Sequence, residues 1–461
     1  MPPALELCPN VPGIAEPDVL EIWGGIECSV VRIGDTWRNQ VRETGHYLRA
    51  EADIDRIAAL GIRKLRYPLL WEEVERGTAY GCNWAWHDVT MKALQKRGIE
   101  VIAGLLHHGS GPSYNSLLDL NFPRRLAAHA GAAADRYPFV RSWTPVNEAL
   151  TTARFSCLYG HWYPHLRDEQ AFYRAVVTQT YAVLLSARAI RARIPNAKFI
   201  QTEDIGRLFG TEATDHQVEY ENRRRWISLD LLCGRVDRAH WAWNRLQECG
   251  VPSAWLDDLA SGEGTPDFIG LNYYVTSDRF LDHRLSLYPQ RLHGGNGRMT
   301  YVDTEAVRAG VDPTLSGWRP RLAEIWHRYG RPVIITEAHL TCEDPREQVR
   351  WLLEAWEAAQ SLHSEGVDIR AVTAWALFGL TDWDSMLCRQ SYHYEPGVFD
   401  ARSVPPRPTE LAIAVAALAK QGYYSDPTLE ELGWWRREDR IFSQLRNHGS
   451  VSEHLQKVDC I

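Results

Sequence analysis

Eight short apolar runs, each followed by a longer stretch with helical spacing, set the strongest limit on what this chain can become. The runs fall at residues 19–24, 63–68, 100–106, 140–146, 197–202, 267–273, 332–336 and 370–377, and they are rich in Val, Ile, Leu and Tyr. Strands that alternate with helices argue for repeated βα units on a parallel sheet rather than for separate all-α and all-β parts. Eight units are the number that closes a (β/α)8 barrel, and a barrel with long βα loops can absorb 461 residues as one domain.

The intervening helices carry stop signals. Residues 49–60 place Ile54, Ile57 and Leu60 on one side, with Gly61 next, and residues 86–97 run into Gly98 in the same way. A long striped helix over residues 168–193 meets Pro195, and residues 346–365 and 409–420 supply two late helices. Two stretches exceed a short connection: residues 277–317, rich in Gly, Pro, His and Asp, and the polar tail beyond Gly422. The expected division is a catalytic barrel over residues 1–423 and an extension over residues 424–461, packed on or near it.

Composition bears mainly on partners. A formal charge of -8 and a pI near 6.1 give no general attraction to nucleic acid or to an anionic membrane. The run Arg223, Arg224, Arg225 reads as a solvated helix face or a set of salt-bridge donors. No basic and apolar leader opens the sequence, and no apolar stretch reaches bilayer length, so a cytoplasmic location is the expectation. Nine cysteines without CxxC pairs suggest reduced, mostly buried thiols and no zinc site. The 19 tryptophans can pack a core, and they can also stack on sugar rings.

In a parallel barrel the active site gathers at the C-terminal ends of the strands, so the polar residues that end apolar runs are the ones to inspect. The fourth run ends in Asn147 and Glu148, the seventh in Glu337, the third in His107 and His108, and Arg66 lies near the end of the second. Cleavage of a glycosidic bond with retention needs two carboxyl groups about 5 Å apart, one protonated and one ionised. Glu148 as acid/base and Glu337 as nucleophile meet the topological requirement. Asn147 could hydrogen-bond the sugar hydroxyl next to the anomeric carbon, and Arg66 could keep Glu337 ionised. No metal or organic cofactor is needed for this chemistry.

Several motifs resemble glycoside hydrolase family 1, the β-glucosidase and β-galactosidase family, over residues 23–423. The stretch DIDRIAALGIRKLRYPLLW resembles the helix and strand that end in the family's arginine, here Arg66, and IEVIAGLLHHGSGP resembles the strand with its sugar-binding histidine, best matched by His108. RSWTPVNEAL resembles the acid/base motif and carries Asn147 and Glu148, while PVIITEAHL resembles the nucleophile strand with Glu337. DFIGLNYY is similar to the sixth strand, where Tyr274 matches the residue that hydrogen-bonds the nucleophile. In AVTAWALFGLTDWD, Trp375 would form the sugar platform, and Asp382 and Trp383 occupy the places of the family's Glu-Trp pair. The resemblance implies a single (β/α)8 barrel, a retaining hydrolase of β-linked glycosides, and a carbohydrate or glycoside as partner.

The chain also departs from the family pattern. Glu27, in WGGIE, is the best substitute for a glutamine that grips sugar hydroxyls. Gly109 stands where a Trp usually follows the histidine, Ala149 replaces the proline after the acid/base, Ala338 and His339 replace Asn-Gly after the nucleophile, and Asp382 is one methylene short. Residues that mark phosphosugar specificity are not evident after Asp382. A catalytically weak sugar-binding barrel and a transglycosylase stay open beside hydrolysis, as do the sugar, the aglycone, exo or endo action and the oligomeric state.

Overall fold

The computed structural model describes residues 19–75 and 81–446. Eight parallel strands close into a barrel: β1 (Glu21–Gly25), β2 (Lys64–Pro68), β3 (Glu100–Gly104), β4 (Ser142–Thr144), β5 (Lys198–Asp204), β6 (Phe268–Tyr273), β7 (Val333–Ala338) and β8 (Ile369–Ala374). Each strand pairs with its sequence neighbour, and β1 seals the ring against β8, with Trp23 opposite Thr373. All eight sit where the apolar runs place them. The fourth is shorter than its run over 140–146, since Pro145 has no N–H to extend the ladder.

Barrel helices follow the strands: α1 (His46–Leu60), α2 (Ala85–Lys96), α3 (Phe122–Arg136), α4 (Glu169–Arg191), α5 (Ser253–Leu259), α6 (Trp318–Tyr329), α7 (Pro345–Ser364) and α8 (Glu410–Gln421). Helix α1 buries Ile54, Ile57 and Leu60 and stops at Gly61, whose φ of 92° only glycine adopts without strain. Asp168 and Asp344 open α4 and α7 by accepting backbone N–H groups of Ala171 and Arg346.

The barrel interior is filled rather than open. Trp23, Ile102, Ile200 and Ile334, from β1, β3, β5 and β7, form one apolar cluster of alternate-strand side chains. The polar strand ends described below lie beyond this plug. Residues 277–317 add a small sheet, in which Arg279–Asp282 pairs with Leu208–Gly210 and with Thr300–Glu305, and the latter with His293–Gly295.

Of the extension expected over residues 424–461, residues 447–461 lie outside the described residues, and the segment around Trp435 packs against α7. Trp435 is buried edge-on to Trp351 and donates its indole N–H to Glu354 at 2.7 Å, while Arg436 and Arg437 pair with Glu354 and Glu347. Only part of the arginine run is solvated: Arg223 is exposed, whereas Arg224 and Arg225 are buried and pair with Glu221 and Glu324. Of the seven described cysteines, all free, Cys28, Cys157 and Cys249 are buried, three are half-buried and Cys82 is exposed, so the expected burial holds for fewer than half. Among the described residues no helix is long and apolar enough to cross a membrane.

Candidate active site

The two glutamates singled out by sequence sit at the C-terminal ends of β4 and β7, both buried, in contrasting surroundings. Arg66 donates to Glu337 Oε1 at 2.9 Å and to the Thr336 carbonyl at 2.7 Å, and the Tyr274 hydroxyl donates to Glu337 Oε2. Among the described residues, Glu148 has no cation of this kind. Its Oε1 accepts from Asn272 at 2.6 Å, and the nearest histidine nitrogen, on His108, is 3.8 Å from Oε2.

These partners decide where the protons sit. Burial raises the Glu337 carboxyl to about 7, with the Arg66 charge and the Tyr274 hydroxyl pulling it back. Burial holds the Glu148 carboxyl well above the usual range, and the nearby charges of Glu337 and Asp204 add to this against a small opposing effect from Asn272. Glu337 is therefore the more acidic of the pair. His107 and His108 are kept neutral by burial and by Arg66, the latter with its pKa pushed down to about 3.

Asn147 ties the strand ends together. Its oxygen accepts from Arg66 at 2.9 Å, from Thr202 at 2.6 Å and from Asn272 at 3.3 Å. Its amide nitrogen faces the Nε2 atoms of His107 at 3.1 Å and His108 at 3.5 Å. Donating to both rings leaves each proton on Nδ1, directed to Cys28 Sγ at 3.4 Å and to Thr152 Oγ1 at 3.1 Å respectively. A hydrogen-bonded path thus runs from Glu148 through Asn272, Asn147 and Arg66 to Glu337.

The backbone at this mouth is strained where it matters. Glu148 has φ 48° and His108 φ 59°, left-handed values that cost a non-glycine residue roughly 1–3 kcal/mol and that concentrate at functional sites. The Glu148 amide donates to the Thr202 carbonyl at 3.0 Å, and its own carbonyl starts the next helical turn through Thr152. The strain is held by main-chain bonds on both sides.

Trp375 follows β8 and is 1% exposed, with His107 stacked parallel to it, Arg66 over its ring, and Gly25 against it. A Cβ on Gly25 would come within 2.3 Å of the indole, so only glycine allows this approach. Its ring faces are largely taken; what it has free is an indole N–H with no hydrogen bond among the described residues, and the half-buried Trp383 has the same. Trp383 packs edge-on to His108 and Trp162.

A sequence model of glycosyl hydrolase family 1 matches residues 32–394. The chain belongs to that family. Relatives include an aryl-phospho-β-D-glucosidase of Bacillus subtilis, 23% identical over 73% of this chain and 78% of its own, and β-glucosidase 4 of rice (Oryza sativa), 24% identical over 73% and 77%. Among solved structures, β-glucosidase from Thermotoga maritima in complex with deoxynojirimycin superposes with a TM-score of 0.70 at 17% identity, covering 89% of this chain and 99% of that one. This family 1 protein is accordingly a glycosidase with a carbohydrate or glycoside substrate.

The departures from the family 1 pattern have local explanations. At Gly109, where a Trp is usual, a Cβ would lie 2.2 Å from Glu72 Oε1, so the buried Glu72 occupies that space. His339, in place of the residue two after the nucleophile, bonds the Trp375 carbonyl at 3.1 Å and approaches Glu395 at 3.5 Å. Asp382 is fully buried and accepts from Arg38 at 2.8 Å, twice from Ser391 at 2.7 and 3.2 Å, and from the His393 amide at 2.8 Å. A carboxylate has about four acceptor sites, so a sugar hydroxyl at Asp382 would have to displace one of these donors.

Sequence reasoning missed Asn272, Thr202 and Arg38. Asn272 lies inside the very stretch quoted for Tyr274, and its strand-end position was the signal available. It also passed over His107 in favour of His108, although His107 makes the shorter contact with Asn147 and stacks on Trp375.

Proposed function

We propose that this glycosidase hydrolyses a β-linked glycoside with retention, through a covalent glycosyl intermediate on Glu337. The observation that carries the reading is the asymmetry between the carboxyls: Glu337 takes a cationic and a phenolic donor, and Glu148 takes one neutral amide. An ionised nucleophile and a protonated acid are what the first step requires.

Glu148 gives its proton to the glycosidic oxygen as that C–O bond breaks, and Glu337 attacks the anomeric carbon. Arg66 and Tyr274 orient the attacking carboxylate. Ester formation removes the Glu337 charge, which lowers the proton affinity of Glu148 and lets the now ionised carboxylate take a proton from water. That water attacks the same carbon, Glu337 leaves, and Glu148 is reprotonated. The second Asn147 N–H makes only the long contact to His108, so it is the donor free for the hydroxyl beside the anomeric carbon. Trp375 and Trp383 offer their unpaired indole N–H groups to further hydroxyls, and Glu27 and His108 complete the set of sugar contacts.

Aryl β-glucosides are the first substrates to test, since the relatives carry β-glucosidase names. Glu337→Gly is expected to be inactive and to regain turnover with azide, yielding an inverted glycosyl azide. Full activity of either Glu337→Gln or Glu148→Gln would overturn the assignment.

A further inference from the structure

Beside Glu337 lies a third carboxyl that takes no part in the bond-breaking steps. Glu27 stands two residues beyond β1 and is 3% exposed. It accepts from the Ser29 amide at Oε1 at 2.9 Å, and the Ser29 hydroxyl and Trp375 indole N–H, which have no other partner among the described residues, lie beside it as further donors that offset part of the rise burial causes in its carboxyl. Around it are Cys28, Arg66 on β2, Tyr274 beyond β6, Glu337 on β7 and Trp375 beyond β8.

Charge in this pocket does not balance. With Glu148 holding its proton, Glu27 and Glu337 share a single guanidinium among the described residues, because burial keeps His107 and His108 neutral. Arg66 spends its donors on Glu337, the Thr336 carbonyl and Asn147, and none reaches Glu27. A buried carboxyl is costly without a cation or a full set of donors. Ser29 and Trp375 supply neutral donors and Arg66 a nearby charge, but no described cation hydrogen-bonds to Glu27.

We propose that Glu27 determines specificity by pairing with a protonated amine on the glycone, so that the preferred substrates are β-glycosides of an amino sugar rather than of a neutral hexose. The proposal rests on the glycosidase reading and names its substrate class. An ammonium brings a positive charge and three donors, enough for Glu27 and for a shared contact with neighbouring acceptors. A hydroxyl brings one donor and leaves the charge in place. The amine also acts on the nucleophile: the Glu27 charge is one of the influences that raise the Glu337 carboxyl, and an ammonium over Glu27 cancels it, favouring the ionised form that attacks.

The test compares kcat/KM on aryl β-glycosides bearing a free amine at each ring carbon in turn, on their N-acetyl counterparts and on the neutral parents. Calorimetry with the corresponding unactivated amino glycosides accompanies it. The intact protein is expected to prefer one free-amine glycoside over both counterparts by about ten-fold or more, the equivalent of one pKa unit of differential interaction. Glu27→Gln, which keeps the shape and removes the charge, is expected to lose that preference, and Glu27→Asp to keep part of it. Preference for the neutral parents, or a ratio unchanged in Glu27→Gln, would overturn the role of Glu27 and leave the glycosidase intact. If no glycoside is hydrolysed but calorimetry shows amine-dependent binding that Glu27→Gln abolishes, the role of Glu27 stands and the hydrolytic reading falls. Absence of any amine-dependent binding overturns the proposal.

Discussion

Replacing Arg66 by Met removes the one cation that contacts Glu337, the proposed nucleophile, among the described residues, while keeping a side chain of similar length. The guanidinium lies 2.9 Å from Glu337 Oε1, and both side chains are buried, so solvent screens the pair little. Unit charges about 4 Å apart at an effective dielectric near 20 interact by about 4 kcal/mol, and an opposite charge at such range shifts a carboxyl by about 1–3 units. Taking two units, the Glu337 carboxyl moves from about 7 upward by about two. The ionised fraction at neutral pH then drops from about half to about 1%, a loss in kcat/KM of about 50-fold. The Asn147 oxygen keeps Thr202 and Asn272 as donors, which limits collateral damage. The assay is kcat/KM on an aryl β-glucoside across the accessible pH range, where the acidic limb reports the free enzyme's nucleophile. The limb is expected to move up by about two units and the deficit to shrink toward about two-fold on the alkaline side. Arg66→Lys, which keeps the charge without the planar fork, should fall between. An acidic limb that stays put, or a loss equal at every pH, would refute the electrostatic role.

Three further outcomes are expected. Buried Glu72, Glu203 and Glu337 hold protons up to about 8, 7 and 7, so the folded chain binds protons that the unfolded chain has released above pH ~4.5, and stability falls as pH rises toward 8. Buried His87 and His108, pushed down to about 3, resist protons that the unfolded chain takes up below pH ~6.5, and stability falls toward acid. Thermal melts should peak between these limits, with Glu72→Gln flattening the alkaline side; a melting temperature that climbs through pH ~8 would contradict the assignment. Asp382→Ala removes one of the two carboxylates on buried Arg38, which keeps Glu43, and leaves the Ser391 and His393 donors without their acceptor, so it should cost about 1–3 kcal/mol in denaturant unfolding, whereas a loss under about 0.5 kcal/mol would show the network to be dispensable. Asn272→Ala removes the donor that favours ionised Glu148, so the alkaline limb of kcat/KM should shift to higher pH; an unshifted limb would remove Asn272 from the site.

The barrel was legible because its signals are local. An apolar run, a glycine stop or an aspartate cap acts within a few residues, and Gly61, Asp168 and the eight runs appear in the structure where those rules place them. Strand ends were legible for the same reason, which is how Glu148, Glu337 and Arg66 were found, whereas Tyr274 came from the resemblance of DFIGLNYY to the family's sixth strand. Asp382 shows the limit. Its neighbours in sequence suggest a sugar contact, but Arg38, 344 positions away, together with Ser391 and His393 occupies its oxygens.

By itself the sequence determined the strand count, the mouth at which polar side chains gather, and the two strand-end carboxyls on which the proposed cleavage rests. Only the tertiary structure decided which carboxyl is the more acidic, which histidine stacks on Trp375, and that Glu27 lies buried with no described cation hydrogen-bonded to it. Periodicity is a property of adjacent residues, while proton affinity depends on burial and on charges that arrive from strands far apart in the chain.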